Sequence, residues 1–477
     1  MTRTHARVVG LATSLLLVAA MASPSAAQSK DPKIKFDHYK LANGFEVILH
    51  QDKKVPIVAV SVWYHVASGN EVPGRSGFAH LFEHMLFQGS KHVGEDRHFS
   101  VLKNIGATTV NGTTNTDRTN YFEVVPSNQL ETALWLESDR IGYLLPMLTK
   151  KSLDNQIEVV RNEKRQSYDN RPYGTTYLKS FAMLFPKNHP YHGTTIGKHQ
   201  DLAAASLADV KNFYKRYYVP ANATIVIAGD FETANAKKLV QKWFGTLPKS
   251  VKPKVTPVAM PIMSTRRAKL KDKFARLRKL TYAWHTPATF NPGDAEFDIL
   301  AEALGRRGTG RLYKRLVHKL QLATRVRAYQ RSMQFSSVFF VEVSLKRRAN
   351  LAKVERIVNE ELAKVRKELL TKREMKRSVV AREAGFVWGL ESLLRRAEML
   401  QRYNHFTGNP GYLTKDMNRY RNATANGVRG YAAKYLVNNR RMELLTVPGS
   451  RGKWRKGMRR RMMRKHMKRK MNKKGGR

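Results

Sequence analysis

An internal repeat is the feature that most limits how this chain can fold. Residues 213–222 lead into the apolar run 223–228, and residues 431–439 lead in a similar way into the apolar run 442–447. Self-similarity of this kind is typical of a duplicated domain. Residues 251–261, between the two copies, are rich in proline and lysine and lack helical periodicity, which indicates a linker. The sequence therefore predicts two homologous domains in one chain.

The periodicity of apolar residues predicts the elements of the first domain. Residues 45–49 and 57–63 alternate as β-strands do, and further strand signals occur within 108–125. Residues 78–87 and 130–145 have the apolar spacing of helices. We predict an α+β fold in which each domain is a mainly antiparallel β-sheet packed with helices. The predicted boundaries are residues 28–250 for the first domain, 251–261 for the linker and 262–450 for the second domain.

The amino terminus has the pattern of an export signal. Basic residues precede an apolar run at residues 8–22, and the small residues Ser25, Ala26 and Ala27 follow it. We predict a signal peptide at residues 1–27, secretion across the inner membrane, and a mature protein that is periplasmic or extracellular. The chain contains no cysteine, which excludes thiol catalysis and disulfide bonds.

The chain is strongly basic, with 87 Lys and Arg residues against 37 Asp and Glu residues and a net charge of +50. Such a charge favours contact with polyanions but does not define a reaction. The tail, residues 451–477, contains no acidic residue. Three interpretations remain open for it: a disordered tail, an amphipathic helix on an anionic membrane surface, and a nucleic-acid-binding arm. We expect the tail to be disordered in isolation, with binding to a membrane surface as the second interpretation. We do not expect nucleic acid as its partner, because export makes nucleic acid less available.

The clearest chemical motif is His80-x-x-Glu83-His84. Residues four apart lie on one face of a helix, so the two imidazoles can reach one cation, and zinc is commonly bound in this way. Glu83 adjoins the second histidine, where a carboxylate can hold a metal-bound water. The competing interpretation is two histidines packed on a helix face beside a solvated glutamate. The aligned positions in the second half are Ile299 and Ala303, so only the first half would bind metal.

A catalytic zinc site needs a third protein ligand and one open position. Glu163, on a predicted helix, is the candidate, and Glu158 on the same helix competes with it. Either glutamate could instead be exposed and paired with a neighbouring Lys or Arg. Further histidines have no second ligand at helical spacing, and we expect them in loops or at the surface: His92, His98, His189, His192 and His199.

Together these segments resemble a known family. Residues 77–87 around the histidine motif, residues 159–166 around Glu163, and residues 111–121 are similar to the corresponding segments of the insulinase or pitrilysin (M16) zinc peptidases. The resemblance is to the short bacterial and mitochondrial-processing-peptidase-like branch, and to its catalytic subunit. It runs from about Phe36 to Gly449.

The resemblance implies one zinc ion per chain, bound by His80, His84 and Glu163. It implies that Glu83 is the general base that takes a proton from the attacking water and passes it towards the leaving amine. It also implies that one strand binds extended peptide through main-chain hydrogen bonds. The residues assigned to that strand are Asn111, Gly112 and Thr113.

The sequence departs from the family pattern in two places. Gln156 stands where the family often has a second glutamate that supports the site, which removes a charge near the metal. Val317 and Thr324 stand where full-length members have an Arg and a Tyr that grip the substrate. We therefore expect a dimer in which a partner subunit donates the missing pair, and both a second copy of this chain and a non-catalytic homologous subunit remain open as that partner.

The sequence thus predicts an exported zinc-dependent endopeptidase that hydrolyses unfolded or short peptides. The alternative is a non-enzymatic, peptidase-like structural or chaperone subunit that binds polyanions. The complete set of His80, Glu83, His84 and Glu163 favours the enzyme.

Overall fold

The computed structural model describes residues 31–449 of the protein. The predicted signal peptide at 1–27 and the predicted tail at 451–477 lie outside the described residues. The described chain forms two β-sheets, each packed with helices, which confirms the predicted α+β class. Within residues 31–449, no helix combines the length and the apolar character that crossing a bilayer requires.

The elements of the first half are separated from those of the second by residues 249–265, which form neither helix nor strand and contain the predicted linker. The strands of the first half are β1 (Asp37–Lys40), β2 (Glu46–Gln51), β3 (Ile57–Tyr64), β4 (Thr109–Thr114), β5 (Thr119–Pro126) and β6 (Ala223–Gly229). Its helices are α1 (Phe78–Met85), α2 (Arg97–Asn104), α3 (Leu130–Gly142), α4 (Lys150–Lys164), α5 (Gly174–Leu184), α6 (His199–Ala203), α7 (Leu207–Tyr217) and α8 (Thr233–Phe244).

The second half repeats the plan. Its strands are β7 (Arg266–Asp272), β8 (Lys279–Thr286), β9 (Ala323–Arg331), β10 (Ser337–Leu345) and β11 (Met442–Pro448). Its helices are α9 (Asp294–Gly305), α10 (Arg311–Tyr313), α11 (Leu351–Lys367), α12 (Lys372–Gly389), α13 (Leu393–Thr407), α14 (Leu413–Arg421) and α15 (Ala425–Tyr435).

The two sheets have matching topology. The first has the strand order β1-β2-β6-β3-β5-β4 and the second has the order β7-β11-β8-β10-β9. When the additional β1 is set aside, the first and last strands of each half pair in parallel, β2 with β6 and β7 with β11. The other pairings, apart from the additional β1, are antiparallel and also correspond. The structure therefore repeats one fold, as the sequence repeat predicts.

Strand β6 shows how distant segments complete the first sheet. The sequence predicts the strands β2 and β3, but β6 lies between them and pairs with both. Ile225 and Ile227 face the helices of the first half, whereas Val226 and Ala228 face the opposite side. Because both faces of this strand are covered, its sequence is a continuous apolar run.

The two halves exchange helices. Helix α13, from the second half, covers the outer face of the first sheet, where Ala397 and Leu400 pack against Val226. Helix α5, from the first half, packs on the second sheet, where Phe181 and Leu184 join its apolar cluster. Each sheet is therefore buried in part by the other half, and the halves are held together by apolar burial.

Candidate metal centre

Helix α1 presents the histidine motif and is anchored at both ends. At its N-terminus, the Glu71 carboxylate accepts hydrogen bonds from the backbone N–H groups of Gly77 and Ala79, both at 2.9 Å. A distant acidic side chain thus satisfies donors that a helix leaves unpaired at its start. Near its C-terminus, the Tyr121 hydroxyl on β5 donates to the Phe82 carbonyl at 3.2 Å. These contacts fix the direction in which the motif projects.

Strand β4 lies directly against α1 because it has a glycine at the contact. A Cβ atom added to Gly112 would lie 2.9 Å from a ring carbon of Phe87 and 3.2 Å from Cγ of Glu83. Any side chain there would push on the motif helix, so glycine permits the close approach. Strand β4 is also the edge strand of its sheet, which leaves its outer backbone groups free of strand partners.

Helix α4 carries Glu163 in its last turn. Thr149 caps the helix by accepting a hydrogen bond from the N–H of Ser152, and the buried residues that follow repeat at helical spacing. This buried face turns the end of the helix, with Glu163, towards α1. Glu158 is exposed and pairs with Arg161 instead. Gln156 is buried on the same helix, two turns before Glu163.

Three potential ligand atoms converge between α1 and α4. Nε2 of His80 lies 3.5 Å and Nε2 of His84 lies 3.4 Å from Oε2 of Glu163. These distances exceed those of ordinary hydrogen bonds. They match the edges of a zinc tetrahedron, which are roughly 3.3–3.5 Å for ligand bonds of about 2.0–2.2 Å. The donor set fits zinc. Within residues 31–449, no other cluster of three His, Asp or Glu side chains has this arrangement.

The electrostatics of the cluster favour metal-binding protonation states. Burial lowers the pKa of His80 to about 4, so its imidazole is neutral at pH 7 and its lone pair is available. The His84 imidazole is the main cause that lowers the pKa of Glu163, which keeps that carboxylate charged. Burial raises the pKa of Glu83, and a hydrogen bond from Thr114 offsets part of this rise. One Glu83 oxygen, Oε2, is buried and has no hydrogen-bond partner among the described residues.

The cluster opens into a cleft of about 420 Å³. His80, Glu83 and Glu163 lie in its wall beside Gly112 and Thr113 of β4. Asn111 does not line this cleft; its side chain accepts a hydrogen bond from the N–H of Gly112. The cleft has further lining residues for which the sequence carries no local signal, among them Tyr168, Tyr177 and Arg331.

The expectation for the remaining histidines was wrong in part. His98 lies on α2 and is only 3% exposed, so the expectation was wrong for it, whereas His189 lies in a loop, as expected, but is only 6% exposed. His98 contacts the buried guanidinium of Arg140, and the ring nitrogen Nδ1 of His189 accepts from the N–H of Tyr191. Both are structural core histidines, which helical spacing alone does not reveal.

The described part of the second half, up to residue 449, has no counterpart of the cluster. Helix α9 follows β8 as α1 follows β3, and Ile299 and Ala303 on it are fully buried apolar residues. Apolar side chains there pack into the core of the second half instead of binding a cation.

Several known proteins to which this chain is similar are named zinc proteases. A zinc protease of Helicobacter pylori named PqqE is 30% identical over 393 residues, which cover 81% of this chain and 86% of that relative. The uncharacterized zinc protease YmxG of Bacillus subtilis is 23% identical over 86% of this chain and 98% of its own length. The crystal structure of a protease from Helicobacter pylori matches with a TM-score of 0.81 and 26% identity, covering 87% of this chain and all of that one.

Two family models match consecutive parts of the chain. Residues 46–185 match the insulinase family, peptidase family M16, and residues 204–380 match the model described as the M16 inactive domain. The chain belongs to the M16 family of insulinase-type peptidases. Membership supports a metallopeptidase function, and the segment that matches the inactive-domain model, residues 204–380, contains none of the three residues of the cluster.

Proposed function

We propose that the protein is a zinc-dependent endopeptidase of unfolded or short peptides, with one zinc ion per chain. The observation that carries the proposal is the convergence of His80, His84 and Glu163 at zinc-like distances beside a buried, unpartnered oxygen of Glu83. In this assignment Nε2 of each histidine and one oxygen of Glu163 hold the metal. Bound zinc acidifies water and polarises a carbonyl group.

Glu83 is assigned the proton transfers. Its raised pKa brings the carboxylate nearer to the operating pH, which is where a general base works best. Its free oxygen, Oε2, takes a proton from the attacking water and then gives it to the amine that leaves. The Thr114 hydroxyl hydrogen-bonds the carboxylate and orients it.

Strand β4 is proposed to hold the peptide. Its outer edge is unpaired, and Gly112 and Thr113 face the cleft next to Glu83. An extended peptide added to this edge is bound through main-chain hydrogen bonds, which tolerate many sequences and exclude folded segments. Asn111 then acts indirectly, by fixing the backbone of Gly112.

The test replaces Glu83 by glutamine, which keeps the shape and removes the base. We expect zinc content close to that of the wild type and a fall in peptide cleavage of about 100-fold or more. Zinc is measured by elemental analysis and cleavage with a quenched fluorescent peptide. Equal cleavage by both proteins contradicts the role of Glu83, and a folded wild type without zinc contradicts the enzyme proposal.

A partner subunit is proposed to complete the substrate grip. Val317 and Thr324 replace the expected Arg and Tyr, and Thr324 is exposed, with its hydroxyl bonded to the Ser344 carbonyl. The grip then comes from a homologous subunit in a dimer. We expect the isolated monomer to cleave poorly and a complex isolated from its native source to contain a second M16 chain; full activity of a stable monomer contradicts this proposal.

The competing proposal is a non-enzymatic, peptidase-like structural or chaperone subunit. It is supported by the inactive-domain match at residues 204–380. The two proposals differ in one result: the non-enzymatic subunit binds peptide without cleaving it, with or without zinc and with any partner.

Export is proposed from the amino-terminal pattern. A structural neighbour of 18% identity is described as the periplasmic protease PqqL of Escherichia coli. We expect the mature protein to begin after Ala27, which amino-terminal sequencing of the secreted protein tests.

The basic tail is proposed to bind anionic membrane surfaces. Co-sedimentation with anionic vesicles is expected for the full chain and not for a chain ending at residue 450.

A further inference from the structure

The second half contributes one charged side chain to the cleft of the metal cluster. Arg331, the last residue of β9, lines this cleft together with His80, Glu83 and Glu163. Its guanidinium lies over the rings of Tyr177, at 5.3 Å, and Phe181, at 4.9 Å. Stacking of this kind leaves the N–H groups at the rim of the guanidinium available for a ligand.

The guanidinium of Arg331 has no carboxylate partner within residues 31–449. Burial raises the pKa of Asp117 to about 6, and Arg331 is close enough to oppose part of this rise, but Asp117 already accepts hydrogen bonds from the Tyr191 hydroxyl and from the N–H of Gln334. Arg327, four residues earlier on the same strand, differs: it is exposed and lies 4.0 Å from Glu342. Arg331 is therefore a cation in a cleft whose charge is only partly balanced.

The residues on both sides of Arg331 are held through their side chains. The Gln330 side-chain amide and the Ser332 hydroxyl donate hydrogen bonds to the same oxygen of Asp294, at 3.3 and 2.5 Å. Asp294 is 2% exposed and is itself held by Arg419 at 2.8 Å. Because its neighbours are held and its own guanidinium is stacked on two rings, Arg331 loses little conformational entropy when it binds a ligand, which is typical of a binding residue and not of a mobile surface cation.

We propose that Arg331 binds a carboxylate of the peptide substrate and thereby makes the enzyme select carboxylate-bearing peptides. The inference rests on the proposed peptidase function. A guanidinium binds a carboxylate through two parallel hydrogen bonds, and Tyr168 and Tyr177 provide the apolar surroundings that strengthen this pair. The carboxylate is that of an acidic side chain or that of the peptide C-terminus.

The test measures peptide binding and does not depend on turnover. Fluorescence anisotropy gives Kd for the zinc-loaded Glu83→Gln protein. In one arm, two peptides with amidated C-termini differ only by Glu or Gln at a single internal position, which is moved along the peptide. In the other arm, a neutral peptide has either a free or an amidated C-terminus. The variants are Arg331→Met, Arg331→Lys and the matched control Arg327→Met, all in the Glu83→Gln background.

We expect the peptide that carries the carboxylate to bind about tenfold more tightly in one of the two arms, because this is the value of a single charge-assisted contact. The arm that shows the difference identifies whether the carboxylate belongs to a side chain or to the C-terminus. Arg331→Met brings this ratio to about one, Arg331→Lys leaves a reduced ratio, and Arg327→Met leaves it unchanged. If Arg331→Met fails to fold, the reduced ratio of Arg331→Lys still decides the question. A ratio of one in both arms, or a ratio that neither Arg331 variant changes, overturns the inference about Arg331 and leaves the peptidase proposal standing. Absence of binding by every peptide overturns the peptidase proposal with it.

Discussion

At the scale of single residues, the candidate centre depends on which side chains reach between two helices. His80 and His84 are neighbours on one helix, so their proximity is a property of helical geometry. Glu163 joins them from α4, whereas Glu158 on that helix is exposed and paired with Arg161. The two glutamates differ by five positions, which places them on different faces of the helix.

This difference predicts opposite results for two matched substitutions. Glu163→Gln removes a charged ligand and is expected to lower zinc affinity by more than about 100-fold, since even the groups that only orient ligands are worth about 10–100-fold. Glu158→Gln is expected to leave zinc affinity unchanged. Competition with a chromogenic chelator measures both. Equal losses in the two variants contradict the assignment of Glu163.

At the scale of elements, α1 is held by a residue outside the helix. Glu71 accepts the N–H groups of Gly77 and Ala79, and burial raises the pKa of Glu71 to about 8. The positions of His80 and Glu83 therefore depend on a side chain that does not belong to the motif.

Glu71→Ala is expected to destabilise the protein by about 2–4 kcal/mol, because it leaves buried backbone donors without an acceptor. Zinc affinity is expected to fall with it, as α1 loosens. Glu71→Gln keeps one of the two acceptor oxygens and is expected to lose less stability than Glu71→Ala. Urea unfolding and zinc competition are the measurements, with exposed Glu95→Ala as the control. If Glu71→Ala changes neither the free energy of unfolding nor the zinc affinity, the result contradicts this account.

Helix α12 contains a glycine whose replacement is expected to stabilise the protein. Gly385 lies within this helix, is exposed, and a Cβ atom added to it meets nothing within 4 Å. Gly385→Ala is expected to stabilise the protein by about 0.5–1 kcal/mol, because alanine loses less conformational entropy in a helix. Gly112→Ala, where the Cβ atom would meet Phe87 and Glu83, is expected to destabilise it. Thermal unfolding compares the two, and a lower midpoint for Gly385→Ala contradicts the first expectation.

At the scale of the whole molecule, helix exchange joins the halves through polar groups as well as apolar ones. Glu398 on α13 accepts hydrogen bonds from Ser61 and Trp63 of the first sheet. Beside it, His65 on the first half and His405 on α13 stack with ring centroids 4.9 Å apart and share a hydrogen bond between their Nδ1 atoms. Two neutral imidazoles can form this contact, whereas two charged ones repel each other.

This pair predicts loss of stability in acid. Burial lowers the pKa of His405 to about 3 and lowers that of His65 well below 6.5, with Lys252 adding to the effect at both. Between pH 6.5 and 3 the unfolded chain binds protons that the folded chain does not, so stability falls as pH falls through this window. The slope approaches about 1.4 kcal/mol per pH unit for each histidine. Above pH 6.5 the pair contributes no pH dependence.

The measurement is the thermal midpoint from pH 8 to pH 4. His405→Gln is expected to lower the midpoint at pH 8, because it disrupts a buried contact, and to flatten its fall below pH 6.5. His318→Gln changes an exposed histidine and is expected to reproduce the wild-type profile. A His405→Gln profile parallel to the wild type contradicts this origin of acid sensitivity.

The sequence by itself determined the features that arise from local geometry and from duplication. Helical spacing placed His80 and His84 on one face, alternation marked β2 and β3, and the repeat predicted two sheets of one topology. Tertiary structure alone decided the rest: it inserted β6 between β2 and β3, chose Glu163 over Glu158, buried His98, and brought Arg331 into the cleft. The physical reason is that backbone periodicity reports which face of an element is apolar, whereas the partner of that face is set by packing between segments far apart in the chain.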